Sequence, residues 1–266
     1  MKSKTFDARA TLHLVLSVAL ALLVSCTSSE VQKPLNAEER FALGKAKFDE
    51  GEYIEAITDF TTVKLQYSGS SVGDDAQYYL GECHFMQEEY LVAAEEYQTL
   101  RRSMPASSLV PLAQYKTAMC FYNLSPRSNL DQVYTRRAVD EFQTFIEYNP
   151  THEFVRDAEA KIQELNTKLS KKLFDAGRLY MKMENYKSAI LYFGLVIEKY
   201  HDTEFAEPAY LGKARALVAR KHYGEAREEL DKFFQRYPDS QDKREAESIR
   251  RDVDEFFGNS SQSPKP

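Results

Sequence analysis

The chain has 266 residues, 43% of them hydrophobic and 29% charged, with no tryptophan, three cysteines and a formal net charge of −6. The acidity is concentrated in residues 37–100, which carry 14 acidic and 4 basic side chains; this argues against a nucleic-acid footprint and against docking on anionic lipid through that part. Three cysteines make no disulfide framework, and the length suits one or two ordinary domains or one repeat array.

The first element is a targeting segment. Lys2, Lys4 and Arg9 form a basic start, and Leu12 to Val24 is then free of charge. That run is too short for the roughly 20 residues of a spanning helix and has the layout of a secretory signal over residues 1–25. Leu23-Val24-Ser25-Cys26 resembles a bacterial lipobox, in which cleavage precedes the cysteine and its sulfur and new amino group are acylated. Cys26 is therefore the expected lipid attachment site, the alternative being an ordinary exported protein with a chance cysteine there. Thr27 after the cysteine, where retained inner-membrane lipoproteins carry Asp, points to the outer membrane. Residues 26–36 read as a polar tether, and two or more acyl chains give stable anchoring where one is marginal.

Internal periodicity governs the rest. Tyr53/Ala56/Phe60, Tyr90/Ala93/Tyr97, Tyr186/Ala189/Phe193 and Tyr223/Ala226/Leu230 share one spacing, and Thr135/Ala138/Phe142 is a fifth copy without the tyrosine. Gly44, Gly81, Ala118, Gly177 and Ala214 stand twelve residues before the alanines; Ser68, Pro105, Pro150, His201 and Pro238 stand twelve after. A small residue on a first helix and an alanine on a second allow close antiparallel approach, an aromatic fills the gap to the next repeat, and proline ends the pair. The pattern is that of the tetratricopeptide repeat. It predicts an all-α solenoid of five helix pairs.

Unequal intervals locate two insertions. Repeats two and three match at 37 residues along their first helices (Tyr78/Tyr115, Gly81/Ala118, Cys83/Cys120), so eight extra residues fall in the third-repeat turn, Asn123 to Tyr134. Stacked helices lie about 8–10 Å apart, beyond the roughly 7 Å Cα separation of a disulfide, so Cys83 and Cys120 read as small core residues. Fourteen further residues separate repeats three and four. Glu153 to Met183 contains no proline, and its apolar residues recur every three or four positions, which predicts one long helix joining repeats one to three (37–150) to repeats four and five, with two helices and an unmarked break as the alternative. Residues 151–257 then hold this helix, two repeats and a capping helix at Lys243 to Phe257, before a disordered tail at 258–266.

Chemistry is not in evidence. The histidines are scattered, and HExxH, paired CxxC, GxSxG and phosphate-binding glycine loops are absent from the sequence. No catalytic residue, metal or cofactor is expected, and the chain reads as a scaffold rather than an enzyme. Tyr78 and Tyr115 are groove-lining candidates, with packing inside the array the competing role.

The stretch Ser125 to Pro150, in which Asp131-Gln132 leads into Thr135-x-x-Ala138, resembles the BamD family, the lipid-anchored subunits of the outer-membrane β-barrel assembly machinery. The resemblance covers roughly residues 26–257. It implies a place on the periplasmic face of the outer membrane, C-terminal repeats that bind the barrel-forming subunit BamA beside other assembly lipoproteins, and N-terminal repeats that receive unfolded outer-membrane proteins. Arg127, Asp131, Arg136 and Arg137 of the third-repeat turn, with Arg215, Arg220 and Arg227 of the last repeat, are the partner-binding candidates. A repeat adaptor of another envelope system, a pilus-secretin pilotin or a Tol–Pal-associated scaffold, is the alternative.

Overall fold

The computed structural model describes residues 34–261, with side chains to Gly258. Among the described residues there are eleven helices and no strand: α1 (Ala37–Asp49), α2 (Tyr53–Gln66), α3 (Gly73–Met86), α4 (Tyr90–Ser103), α5 (Val110–Leu124), α6 (Val133–Tyr148), α7 (Val155–Lys182), α8 (Tyr186–Lys199), α9 (Ala206–Ala219), α10 (Tyr223–Arg236) and α11 (Lys243–Ser261). Consecutive helices pack on one another throughout, as in a solenoid of helix pairs. The expected five pairs are α1–α2 through α9–α10.

The repeat residues do what their spacing requires. Ala56, Ala93, Ala138, Ala189 and Ala226 are fully buried, and Phe60, Tyr97, Phe142, Phe193 and Leu230 are buried beside them. A Cβ added at Gly81 would lie 2.5 Å from the Tyr97 ring, and one at Gly177 would lie 2.8 Å from that of Phe193. Phe193 is enclosed on its other side by Gly212, where a Cβ would come within 2.7 Å. These rings take the volume that side chains on the first helices would otherwise fill.

Two turn types alternate. Every connection between repeats is six residues long, and in each the fourth residue after the helix donates back to the first, as in Ser107 N to Met104 O at 3.0 Å. Within repeats one, two, four and five the turn is three residues, and its middle residue has positive φ: Gly51 (+84°), Glu88 (+62°), Glu184 (+58°) and Lys221 (+63°). Only the first is glycine, so the other three hold a strained conformation. Glu184 is exposed. Glu184→Gly is expected to stabilise the chain by up to about 1 kcal/mol, the relieved strain exceeding the added freedom of the unfolded chain. A higher denaturant midpoint with unchanged slope would record it; a lower midpoint would refute the assignment of strain.

The fourteen extra residues extend a helix rather than form a loop. α7 is one continuous helix of 28 residues, about 42 Å long at 1.5 Å per residue. Fourteen residues advance a helix by just under four turns, so both halves of α7 present nearly the same face. Ala158, Leu165 and Leu169 join the core of repeats two and three, whereas Leu173 and Phe174 join that of repeat four. The N-terminal half thus stacks on α6 as a first helix normally would, and the C-terminal half begins the next repeat. α11 covers the last pair through Ala246, Ile249 and Val253. It runs to Ser261, past the expected end at Phe257; residues 258–261, expected as tail, are therefore helical, since neither proline nor a cap stops the helix there.

A feature passed over by the pattern stands three residues after each repeat alanine. Asp59 is buried and held by Arg40 (2.9 Å) and Lys47 (2.6 Å); Glu96 takes Lys64 (2.7 Å), Glu141 takes Arg101 (3.4 Å), and Glu229 takes Lys232 (2.8 Å) and Lys213 (3.1 Å). Repeat four has Tyr192 there instead, stacked on Tyr180 with ring centroids 5.2 Å apart. The acids tie each second helix to its neighbours, and an uncompensated member would leave a desolvated charge.

Candidate partner-binding surfaces

Cys26, the signal and most of the tether lie outside the described residues. What remains are three surfaces: the third-repeat turn, the faces bearing Tyr78 and Tyr115, and the last repeat with its cap.

The third-repeat turn, Ser125 to Gln132, has no left-handed residue and is built on a side chain instead. Gln132 is fully buried, its Nε2 donating to the carbonyls of Arg127 (2.8 Å) and Leu130 (3.0 Å). Its Oε1 accepts from Thr135 Oγ1 at 2.7 Å, and that hydroxyl lies 2.7 Å from Ser125 Oγ. From α7, Lys168 donates to Ser125 Oγ at 2.9 Å, and Lys172 donates to the Leu130 carbonyl. The turn is therefore fixed to the long helix rather than loose. What it displays is Arg127, exposed; Leu130 and Val133, each more than half exposed; and an Asp131–Arg136 pair 3.7 Å apart in solvent. Such an exposed pair contributes little to stability and leaves both charges available. Arg137 instead lies over the Phe121 ring, 4.0 Å from its centroid.

The tyrosines pack within the array. Tyr78 is 8% exposed and meets the Tyr97 ring at 5.6 Å, while its neighbour Tyr79 stacks on Phe60 toward repeat one. Burial, reinforced by Glu82, holds the Tyr78 hydroxyl well above its usual pKa. Tyr115, also 8% exposed, stacks on Phe154 at 4.6 Å and donates to Asp157 of α7. Tyr122, about two turns on, donates to Glu164 at 2.6 Å; this bond, with burial, pushes its pKa up to about 12. The long helix thus occupies the face of repeat three on which Tyr115 and Tyr122 lie. Cys83 and Cys120 are free and buried, their thiols pushed up to about 12 by burial, as inert core residues are.

In the last repeat, Arg215 of α9 reaches Glu245 of α11 at 3.0 Å, and Arg227 of α10 reaches Asp254 at 3.8 Å. Both pairs are about half exposed and hold the cap at its rim. Arg220 is exposed at the end of α9. Beside Arg215 a cleft of about 300 Å³ has Phe174, Met181 and Gly212 among its apolar lining and Arg178 and Lys182 among its cations. It offers an apolar floor with Arg178 and Lys182 on its walls and Glu245 paired to Arg215, a combination that sequence spacing did not reveal because its residues come from four helices.

Nothing among the described residues groups three or more His, Cys, Asp or Glu side chains as a metal site would, and no described helix is long and apolar enough to cross a membrane. One family match agrees with the repeat geometry of the last repeat. A tetratricopeptide-repeat model matches residues 208–240. The TPR2AB domain of yeast Sti1, in a complex described as pHSP90, aligns over 82% of this chain and 98% of its own at 14% identity, with a TM-score of 0.40. A tetratricopeptide repeat protein from Parabacteroides merdae aligns over 85% of this chain and 77% of its own at 17% identity, also with a TM-score of 0.40. Among curated sequences, the outer membrane protein assembly factor BamD of Caulobacter vibrioides is 25% identical over 220 residues, 81% of this chain and 72% of that protein. The factor of the same name from Rickettsia prowazekii is 28% identical over 123 residues, 46% of this chain and 49% of its own length. A family model described as outer membrane lipoprotein, YfiO, matches residues 34–216, from the start of the first repeat through α7 and into α9. On that match, spanning the whole third-repeat turn and the long helix, the chain belongs to the YfiO family of outer-membrane lipoproteins.

Proposed function

We propose that the protein is a non-enzymatic, lipid-anchored scaffold of the outer-membrane β-barrel assembly complex, held on the periplasmic face of the outer membrane through Cys26. The observation that carries this reading is the family match over residues 34–216, which contains the buried-Gln132 turn and the α7 clamp upon it. In this reading the C-terminal repeats hold the barrel-forming subunit BamA. Their cleft between α7 and α9 suits a partner segment that brings an apolar side chain beside an acidic one. The third-repeat turn, with Arg127, Asp131 and Arg136 outward, forms a second contact. The N-terminal repeats handle unfolded outer-membrane proteins. Affinity purification from detergent-solubilised envelope is the test: a large barrel-forming protein should co-elute, and recovery of a secretin or of Tol–Pal components instead would overturn the assignment.

The anchor has its own test. Cys26→Ala is expected to abolish acylation and release the chain from outer-membrane fractions in cells depleted of its partners, because no described helix is long and apolar enough to cross a membrane. Retention of this variant after a high-salt wash would show that something other than acyl chains holds it.

A further inference from the structure

The second cleft of interest lies in repeat three, between α4, α5 and α6. It encloses about 660 Å³, within the range of small-ligand sites. Gln98, Arg101 and Arg102 of α4 stand on one wall, Glu141 and Tyr148 of α6 on the other, with Gln114 of α5 also in its lining. The equivalent place one repeat earlier is closed. There Gln77 donates to the Glu96 carbonyl at 2.9 Å and to its carboxylate at 2.5 Å, and Lys64 seals the acid at 2.7 Å.

Each of those residues has its counterpart in repeat three, but there the glutamine makes neither of its bonds and the ion pair is longer. Arg101 and Glu141 stand 3.4 Å apart, and Gln114, 3% exposed, has an Nε2 that is buried without any partner. Its Oε1 receives only a long contact from Asn149 Nδ2, at 3.5 Å. A buried amide donor left unpaired is destabilising, and the same sequence position one repeat away shows how easily it could have been satisfied. The cleft also gathers three carboxamides, Gln98, Gln114 and Asn149, and the ring of Tyr148, which is 73% exposed.

We propose that this cleft binds an extended stretch of polypeptide main chain, one of whose carbonyl oxygens accepts the hydrogen bond of Gln114 Nε2. Carboxamides are both donors and acceptors and complement a peptide group, whereas the charges of the walls already balance, two arginines against Asp140 and Glu141. The occupant is an unfolded chain rather than the edge of a folded sheet. Nε2 is shielded from water, so the ligand must push aside the Asn149 carboxamide, whose Nδ2 also donates to the Phe145 carbonyl at 3.1 Å, and enter the cleft, which a rigid strand edge cannot do. The exposed Tyr148 ring then covers a side chain of the bound segment. This inference rests on the reading of the N-terminal repeats as the client-handling part and assigns the site within it.

The test uses the full-length acylated protein in detergent and, as probe, fluorescently labelled lysozyme that has been reduced and carbamidomethylated so that it stays unfolded. Binding is read by anisotropy for the parent chain, Gln114→Leu and Gln77→Leu. Gln114→Leu should weaken binding at least tenfold while its melting temperature holds or rises, because an apolar side chain replaces an unpaired amide of similar size. Gln77→Leu should lower the melting temperature and leave affinity unchanged. Equal affinity for the parent and Gln114→Leu would overturn the cleft while leaving client handling intact; no binding by the parent would overturn both. A fall in melting temperature for Gln114→Leu as large as that for Gln77→Leu would mean that the amide is already bonded, and the proposal would fail.

Discussion

Ala189→Trp is expected to lower stability by at least the roughly 1–3 kcal/mol of an overpacked core, and the loss should fall on repeats four and five before the rest. Ala189 is fully buried in the cluster formed with Phe193, Val196, Ala209 and Ala216, against which Leu173 and Phe174 of α7 pack. Indole at this point has nowhere to go: the Phe193 ring already occupies the room left by Gly177 and Gly212. In a repeat array each unit is supported mainly by its neighbours, so the damage should stay local. Thermal melts followed by circular dichroism would then split, with an early transition for the C-terminal part and a later one near the parent Tm. A single transition at the parent Tm would mean that the helix register assigned to repeat four is off by at least one residue.

That register was legible because a tetratricopeptide pair writes its closest approaches into residue size. Small residues at Gly81 and Gly177 and large rings at Tyr97 and Phe193 are two sides of one contact, and their spacing survives in a single sequence. The length of α7 was legible for a similar reason, since an uninterrupted apolar stripe without proline leaves a helix no place to stop. The site was less so. Whether Tyr78 or Tyr79 faces a groove depends on how much of each ring the neighbouring repeat covers, and both prove to be packed, one against Tyr97 and the other against Phe60. The role of Gln132 was hidden because a glutamine in a long turn ordinarily reads as solvent-exposed, and here it supplies the turn's hydrogen bonds. The acids that follow the repeat alanines were in plain view at constant spacing. They were lost among many other carboxylates, and only burial separates Asp59 and Glu229 from solvated faces.

A chain ended after Lys172 is expected to remain helical and membrane-bound yet lose co-purification with the large barrel subunit. The cut falls inside α7, where the helix changes partners. Ala158, Leu165 and Leu169 stay with the core of repeats two and three, and Lys168 and Lys172 keep their bonds to the third-repeat turn. The retained half of α7 covers repeat three as a capping helix would, its outer side carrying Arg156 and Glu159 into solvent. Ending the chain after α8 instead would strip α9 from Phe193 and Ile197 and expose an apolar face. Removed with the cut are the cleft beside Arg215, the Arg220 side chain and the α11 cap. If these hold the barrel-forming subunit, the truncated chain cannot, although its turn residues Arg127, Asp131 and Arg136 are intact. Salt should weaken docking of the full chain only moderately, because Arg215 and Arg227 are already opposed by Glu245 and Asp254. Co-purification retained by the truncated chain would move the docking surface to the third-repeat turn, where the exposed Asp131–Arg136 pair and the apolar Leu130 and Val133 would then have to carry it.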